Sequence, residues 1–133
     1  MTEQAEFLQP DTMPPSAALG FTQVVRVGSW VYVAGQTAVD QAGEIVGVND
    51  AAAQTDKIFE NLTHAMEAVG GTLNDIVKTV VYVVGDANLD AVRAARAGRF
   101  GETPPTNTLV VVSRLARPEF ILEIEAVAYV DQG

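Results

Sequence analysis

Two carboxylates lie close together near the carboxyl end of the chain, in an otherwise apolar segment. Residues 121–130 read ILEIEAVAYV, so Glu123 and Glu125 alternate with apolar side chains. Because strand side chains switch faces with a period of two, both glutamates lie on one face of the predicted strand and Leu122, Ile124 and Ala126 on the other. Burial or mutual repulsion raises the pKa of a carboxylate, and such a group can shuttle protons or activate water. Glu123 is therefore the candidate catalytic residue, while a solvated rim or pairing with an arginine remains the alternative for both glutamates.

The other chemistry-bearing residues give weaker patterns. Arg93, Arg96 and Arg99 recur every three residues on a predicted helix, which favours a solvated or ion-paired ridge over the alternative that Arg93 reaches a ligand. His64 is the only histidine, and the chain has no cysteine, so we expect neither a metal site nor a thiolate nucleophile. No glycine-rich phosphate loop is present, because Gly70-Gly71 lacks the required spacing, and we expect no cofactor.

Charge and composition exclude several classes of partner. The net charge is −9, and the eight basic residues are scattered along the chain. Nucleic-acid binding normally needs a basic stripe, so DNA, RNA and anionic membranes are not expected partners. The first 15 residues have no basic region followed by an apolar one, and no apolar run has the length of a bilayer span. The absence of cysteine fits a cytoplasmic location.

The elements that position these residues follow from hydrophobic periodicity. Residues 1–16 read as an irregular lead-in, and 17–133 as a single domain. Strands are predicted at 21–27, 30–34, 77–84, 109–113 and 121–130, helices at 51–69 and 89–100, and a short strand at 44–48 is compatible with the pattern. The apolar stripe of the first helix comprises Ile58, Leu62, Ala65 and Val69. One side of the second carries Leu89, Val92, Arg96 and Phe100.

This order of elements predicts an α+β fold, with a mixed sheet covered on one face by two helices. The strands at 77–84 and 109–112 are nevertheless apolar on both faces. No third helix is predicted that would cover the second face. Self-association is the simplest way to keep that face dry.

Several short motifs together resemble the RidA/YjgF family, also called the L-PSP endoribonuclease-like family. They are Gln23, the strand end at 34–36, the helix stop at Gly70, the strand at 77–83, Arg114-Leu115 and the segment 123–126. The resemblance covers about residues 19–130. It implies a chorismate-mutase-like fold and a homotrimer whose sheets form a central barrel, with ligand clefts between subunits. Well-studied members hydrolyse reactive enamines and imines to 2-oxo acids and ammonia, and a last-strand glutamate orients the water.

The sequence departs from the family pattern at three positions. Asn107 replaces the arginine that grips the substrate carboxylate, Phe21 replaces a tyrosine, and Ala34 replaces a serine, whereas Glu123 is kept. Charge-assisted hydrogen bonds contribute about 1.5–3 kcal/mol and neutral ones about 0.5–1.5, so Asn107 weakens carboxylate binding on the order of tenfold. The cleft predicted from the resemblance comprises Phe21, Ala34, Gly35, Gln36, Asn107 and Arg93 around Glu123.

Three functions compete on this basis. The first is an imine or enamine deaminase with an altered substrate range, distinct from a standard 2-iminobutanoate deaminase. The second is a non-enzymatic trimer that binds a metabolite or regulates in the same clefts. The third is the ribonuclease of the older family name, which the net charge of −9 and the single histidine make the weakest.

Overall fold

The computed structural model describes residues 4–132, which form one mixed sheet with helices on one side. Six strands and two α-helices occur within that range, joined by turns and three short 3-10 helices. In chain order they are β1 (Ala5–Leu8), β2 (Val24–Val27), β3 (Trp30–Gln36), α1 (Ala51–Glu67), β4 (Ile76–Val84), α2 (Leu89–Arg96), β5 (Thr106–Val112) and β6 (Leu122–Tyr129). The predicted α+β class is confirmed.

The strands are arranged in the order β1-β2-β3-β6-β4-β5. Only β4 and β5 run parallel, connected by α2, and the other neighbours are antiparallel. Strand β6 lies in the middle of the sheet, between β3 and β4. The carboxylates of β6 therefore lie on a central strand, where neighbours on both sides restrict their position.

Helix α1 packs its predicted apolar stripe on the sheet. Ile58, Leu62 and Ala65 are fully buried, and Val69 is nearly so. The Asp50 side chain caps the first turn by accepting a hydrogen bond from the Ala53 amide. The helix ends at Glu67, two residues before the predicted end, because the chain turns through Gly70 at φ 75° and the Gly71 amide returns to the Met66 carbonyl.

Helix α2 is shorter than predicted and ends at Arg96. Ala97 adopts extended backbone angles and Gly98 has φ 78°, so the helical hydrogen bonding stops there. Phe100, the last residue of the predicted apolar side, is still buried and packs edge-to-face on Phe59, with ring centroids 5.5 Å apart. Residues 97–105 therefore form a folded turn against the core.

The two faces of the sheet differ as the alternation in β6 predicted. Leu122, Ile124, Ala126 and Ala128 are buried beneath the helices. The opposite face, here called the open face, carries Glu123, Glu125, Val127 and Tyr129. Trp30, Tyr32 and Tyr129 are each nearly half exposed on it, which is unusual for large aromatic side chains.

The prediction of an irregular lead-in at 1–16 is wrong for part of that segment. Ala5–Leu8 forms β1, which pairs with β2 at the edge of the sheet in the register Phe7↔Val25. Such a strand is short and mostly exposed, so its backbone hydrogen bonds, rather than an alternating pattern, stabilise it. The structure consequently makes the N-terminal segment part of the sheet.

Other predicted strands also differ from the structure in their bounds or do not form. The segment 44–48 forms only an isolated bridge, Val39↔Ile45. Strand β2 begins at Val24 because the Phe21 carbonyl is taken by the Ser16 hydroxyl and the Gln9 amide. Strand β5 begins at Thr106, where parallel pairing with Lys78 of β4 starts. The longest helix has 17 residues, and no helix between residues 4 and 132 has the length and hydrophobicity needed to cross a membrane.

Candidate functional site

A cavity of about 420 Å³ lies beside the ends of β3 and β6, and Glu123 lines it. Most of its lining is apolar, and it includes three of the predicted cleft residues. The lining residues are Pro14, Pro15, Leu19, Phe21, Gln23, Gly35, Gln36, Thr37, Val39, Gly43, Ala116, Arg117, Phe120 and Glu123. The structure thus brings Phe21, Gly35, Gln36 and Glu123 together.

A β-bulge in β3 shapes one wall of this cavity. Val33 pairs with Ala126 and Gln36 with Ile124, so β3 has one more residue than β6 between these pairs. The additional backbone holds Gly35 next to Glu123. A β-carbon built on Gly35 would lie 2.8 Å from Cδ of Glu123 and closer still to Oε2. Only glycine leaves the space that the carboxylate occupies.

The two carboxylates of β6 have different surroundings. The Tyr82 hydroxyl donates a hydrogen bond of 2.5 Å to Oε1 of Glu125. This hydrogen bond, followed by burial and the nearby carboxylates, raises the pKa of Tyr82. Glu123 is half-buried and has no hydrogen-bond or ion-pair partner among residues 4–132. Of the two alternatives left by the sequence, Glu125 is paired, although with a tyrosine and not with an arginine.

Burial raises the pKa of Glu123, and repulsion by Glu125 raises it further. Desolvation disfavours the charged form of a carboxyl group, and a neighbouring negative charge acts in the same direction. Raised carboxyl pKa values in a cleft are typical of groups that exchange protons with a ligand. Its position in the cavity and its raised pKa make Glu123 the candidate for a general acid–base group.

A buried glutamine network supports the floor of the cavity. Nε2 of Gln36 donates to Oε1 of Gln23 at 2.7 Å and to the Ala34 carbonyl at 2.9 Å. Nε2 of Gln23 in turn donates to the Pro14 carbonyl at 3.0 Å. Ala34 itself does not line the cavity and contributes through this carbonyl. The network fixes the N-terminal segment against β3.

Sequence reasoning missed the N-terminal wall and the loop before β6. Pro14 and Pro15 belong to the segment that was predicted to be irregular, and Leu19 follows shortly after it. Arg117 and Phe120 come from the turn before β6. The Pro-Pro pair was the only local signal, since it marks a stiff segment that makes no ladder hydrogen bonds. Arg117 matters chemically because it and Glu123 are the two charged residues among the cavity-lining side chains.

Within one chain Asn107 does not line this cavity; the predicted cleft lies between subunits, so the place of Asn107 in that cleft stays a prediction. In the sheet register Asn107 pairs with Thr79, and the buried Thr79 hydroxyl donates to Oδ1 of Asn107 at 2.9 Å. Thr79 points to the helix-covered side, whereas Glu123 lies on the open face. Asn107 instead lines a second cavity, of about 240 Å³, together with residues of the turn after α2. The register of β5 decides this placement.

Arg93 lines neither cavity and is exposed on α2, which agrees with the solvated ridge that the sequence favoured. His64 is also part of a surface cluster, with Nδ1 3.2 Å from Glu67 and Nε2 3.7 Å from Glu60. Between residues 4 and 132, no group of three or more metal-ligating side chains comes together.

Comparison with known proteins agrees with this architecture. The family described as Endoribonuclease L-PSP matches residues 12–130. A RutC family protein of Pyrococcus abyssi is 36% identical over 110 residues, covering 82% of this chain and 85% of that protein. The 3-aminoacrylate deaminase RutC of Acinetobacter baylyi is 31% identical over 125 residues, covering 94% and 98% respectively.

Solved structures show the same fold. The crystal structure of RidA from an Antarctic Psychrobacter superimposes with a TM-score of 0.85 at 29% sequence identity, covering 94% of this chain and 99% of that one. The resemblance predicted from short motifs is therefore confirmed over nearly the whole chain. Taken together, the family match, the sequence relatives and the shared fold show that this chain belongs to the RidA/YjgF family of L-PSP endoribonuclease-like proteins.

Proposed function

We propose that the chain is a hydrolytic deaminase that converts an imine or enamine with an apolar body to a carbonyl compound and ammonia. The observation that carries this proposal is the half-buried Glu123 carboxyl group, which stands over Gly35 in the cavity without a partner among the described residues. The relative named 3-aminoacrylate deaminase supports hydrolysis of a carbon–nitrogen bond as the type of reaction.

Glu123 supplies the proton transfers of this reaction. Its carboxylate accepts a proton from water while the water oxygen bonds to the imine carbon, and the C=N electron pair moves to nitrogen. The nitrogen takes that proton from the Glu123 carboxyl group, which yields a carbinolamine. Glu123 then accepts the hydroxyl proton and returns it to the nitrogen as the C–N bond breaks. Ammonia and the carbonyl product leave, and Glu123 is again ionised.

The lining of the cavity supports an altered substrate range. The apolar surface of the cavity comes from Leu19, Phe21, Val39 and Phe120. Arg117 is the positively charged residue of its lining. Asn107 is neutral, so no guanidinium is available at that position to bind a substrate carboxylate. Small polar imines of the 2-aminoacrylate and 2-iminobutanoate type therefore gain little binding energy, whereas a larger apolar side chain gains about 25 cal/mol for each Å² buried.

The open face supports self-association, and we propose the homotrimer with a central barrel that the resemblance implied. Trp30, Tyr32 and Tyr129 expose 46%, 49% and 47% of their surface there. A contiguous exposed aromatic patch on a small protein marks an interaction surface. In such an assembly the ligand cavity lies in a cleft between subunits. Sedimentation analysis of the purified protein tests this directly, and a stable monomer would contradict it.

The deaminase proposal is tested by generating imines in situ from a series of amino acids with an amino-acid oxidase and following ammonia release. Imines with large apolar side chains should be hydrolysed faster than those derived from small amino acids. Glu123→Gln should lower this rate by about 10²–10⁴-fold. Glu125→Gln is the matched control, because it removes the neighbouring carboxylate and should retain most of the rate.

Two outcomes would contradict the proposal. Rapid turnover of the small imines would show that the apolar cavity does not set the substrate range. The second outcome is that no imine releases ammonia, while a 2-oxo acid binds saturably and Glu123→Gln changes its affinity. That outcome would instead favour the metabolite-binding trimer.

A further inference from the structure

Gln36 is a buried polar residue that lines the same cavity as Glu123, and only 1% of its surface is exposed. Both hydrogens of its Nε2 atom are used, one by the Ala34 carbonyl and the other by Oε1 of Gln23. Its Oε1 atom accepts no hydrogen bond from any residue between 4 and 132. A buried carbonyl oxygen without a donor is destabilising, so its retention calls for an explanation.

Two backbone carbonyls fix which end of each glutamine amide is the oxygen. The Ala34 and Pro14 carbonyls can only accept, so the atoms that contact them are Nε2 of Gln36 and Nε2 of Gln23 respectively. A flip of either amide would place two acceptors against each other. The same polarity lets Gln36 donate to Gln23 at 2.7 Å. Oε1 of Gln36 is therefore held as an acceptor that the protein itself leaves unused.

The Oε1 atom of Gln36 differs from the other buried amide oxygen that has no donor. Oδ1 of Asn61 is shut off from solvent, whereas Oε1 of Gln36 is not sealed in this way. The cavity that Gln36 lines has a volume of about 420 Å³, which is large enough for a small ligand. The Glu123 carboxyl group packs against Gly35, the residue that precedes Gln36. The unused acceptor is thus next to the candidate proton-transfer group.

We infer that Oε1 of Gln36 binds the N–H group of the C=N substrate and so distinguishes the substrate from its carbonyl product. An imine or iminium nitrogen carries a hydrogen, whereas the carbonyl oxygen of the product would face a second acceptor. Sites built around a buried hydrogen-bonding group discriminate against analogues that lack its partner. This inference rests on the proposed deaminase reaction, in which the same nitrogen takes its protons from Glu123. Gln36 itself transfers no proton.

Recognition of the N–H group is tested without catalysis, by calorimetric titration of the intact protein with benzamide and with acetophenone. Both molecules have a phenyl and a carbonyl group, and they differ by an NH₂ group in place of a methyl group. The wild type should bind benzamide about threefold to tenfold more tightly, which is the effect of one neutral hydrogen bond. Gln36→Met keeps the length of the side chain but removes both polar atoms, and it should abolish this preference.

Two further variants separate recognition from stability. Gln23→Met breaks the same bond between the two glutamines but leaves Oε1 of Gln36 in place, so it should keep the preference for benzamide. Gln41→Met, on an exposed turn outside the cavity lining, should keep both affinities. Urea unfolding of each variant checks that it is folded. Because Gln36→Met and Gln23→Met disturb the same network, a different ligand preference at similar stability would isolate the role of Oε1.

Product inhibition provides a second readout during turnover. In the wild type the oxygen of the carbonyl product faces the Oε1 acceptor, and in Gln36→Met it does not. The 2-oxo acid product should therefore inhibit Gln36→Met more strongly than the wild type, by about threefold to tenfold in its inhibition constant. A substitution that merely loosened the cavity would weaken substrate and product alike.

Three results would overturn the inference. Equal affinity of the wild type for benzamide and acetophenone would show that no N–H group is recognised. A preference that persists in Gln36→Met would assign the N–H group to another acceptor, such as the Glu123 carboxylate. Loss of the preference in Gln23→Met and Gln36→Met alike would show that the folded network, and not Oε1, is responsible. A protein that keeps the preference but releases no ammonia would support the N–H acceptor site and contradict only the proposed reaction.

Discussion

Gly35 lies directly beside the carboxyl group of Glu123, and a single added β-carbon would occupy the carboxylate's position. The bulge in β3 creates this contact, since it shifts the pairing between Val33 and Gln36 by one residue. The Glu123 carboxyl group therefore packs directly against the main chain at Gly35. This relationship links a backbone irregularity of one strand to the candidate proton-transfer group of another.

The contact makes Gly35→Ala a selective probe of the site. Because the clashing atoms form the end of a flexible side chain, we expect the Glu123 carboxyl group to move aside. The free energy of unfolding should then fall by no more than about 1–3 kcal/mol, the usual cost of overpacking. Activity should fall much further than that, because the proton-transfer group is displaced. The two effects are separated by urea unfolding and ammonia release, measured on the same preparation.

The double variant Gly35→Ala/Glu123→Ala provides the control for this substitution. If the methyl group clashes only with the Glu123 side chain, truncating that side chain should restore the lost stability. A Gly35→Ala variant with full activity would show that the carboxyl group does not need this position.

The raised pKa of Glu123 has a consequence for stability as a function of pH. A carboxyl group whose pKa is higher in the folded protein binds protons more tightly there, so folding is favoured below its unfolded value near 4.5 and loses stability as the pH rises through the folded value. Glu123→Gln should therefore be more stable than the wild type at neutral pH, and the difference should disappear in acid. Unfolding temperatures measured from pH 4 to pH 8 check this; a variant that is less stable at pH 7 would contradict it.

Activity should respond to pH in the opposite direction. Glu123 accepts a proton from water only when ionised, so the rate should decline as the pH falls through its raised pKa. The apparent pKa of kcat/KM should lie above the ordinary glutamate value of 4.5. Glu125→Gln should lower this apparent pKa, because it removes the like charge that contributes to the shift. An unchanged profile in that variant would assign the titration to another group.

Tyr82 should titrate later than an ordinary tyrosine. Its hydroxyl donates to Glu125, and this bond raises its pKa above 10.0 because ionisation would break the bond next to a negative charge. Near-ultraviolet absorbance during an alkaline titration should show one tyrosine ionising after the rest. Tyr82→Phe should remove that late component, and Glu125→Gln should move it to lower pH. A late component that survives Tyr82→Phe would belong to Tyr32 or Tyr129.

Gln54 joins the loop before β6 to helix α1, and its loss should be strongly destabilising. Its fully buried side chain donates to the Gly47 and Glu119 carbonyls and accepts from the Ile121 amide, with bond lengths of 2.9 to 3.1 Å. Gln54→Leu leaves these three backbone groups unpaired, at a cost of about 1–3 kcal/mol for each one that water cannot reach. Gln41→Leu, on an exposed turn, should change stability little. Equal chemical-denaturation midpoints for the two variants would contradict this role.

Hydrophobic periodicity alone predicted most of the fold. The stripe on α1 and the alternation on β6 each follow a period that only one type of element satisfies, and both faces were assigned correctly. The segments that periodicity misjudged are short or end in special backbone conformations. Strand β1 has four mostly exposed residues, and α2 ends before Gly98, where a positive φ stops the helix.

The sequence by itself determined that Glu123 would lie on the face away from the helices, because strand side chains alternate strictly. Only the tertiary structure decided what surrounds it. The contact of Glu123 with Gly35 depends on the bulge in β3. The cavity wall at Pro14 depends on hydrogen bonds of the glutamine network, which joins distant segments. The separation of Asn107 from Glu123 depends on the parallel register between β4 and β5. These are contacts between residues far apart in the chain, and no local pattern encodes them.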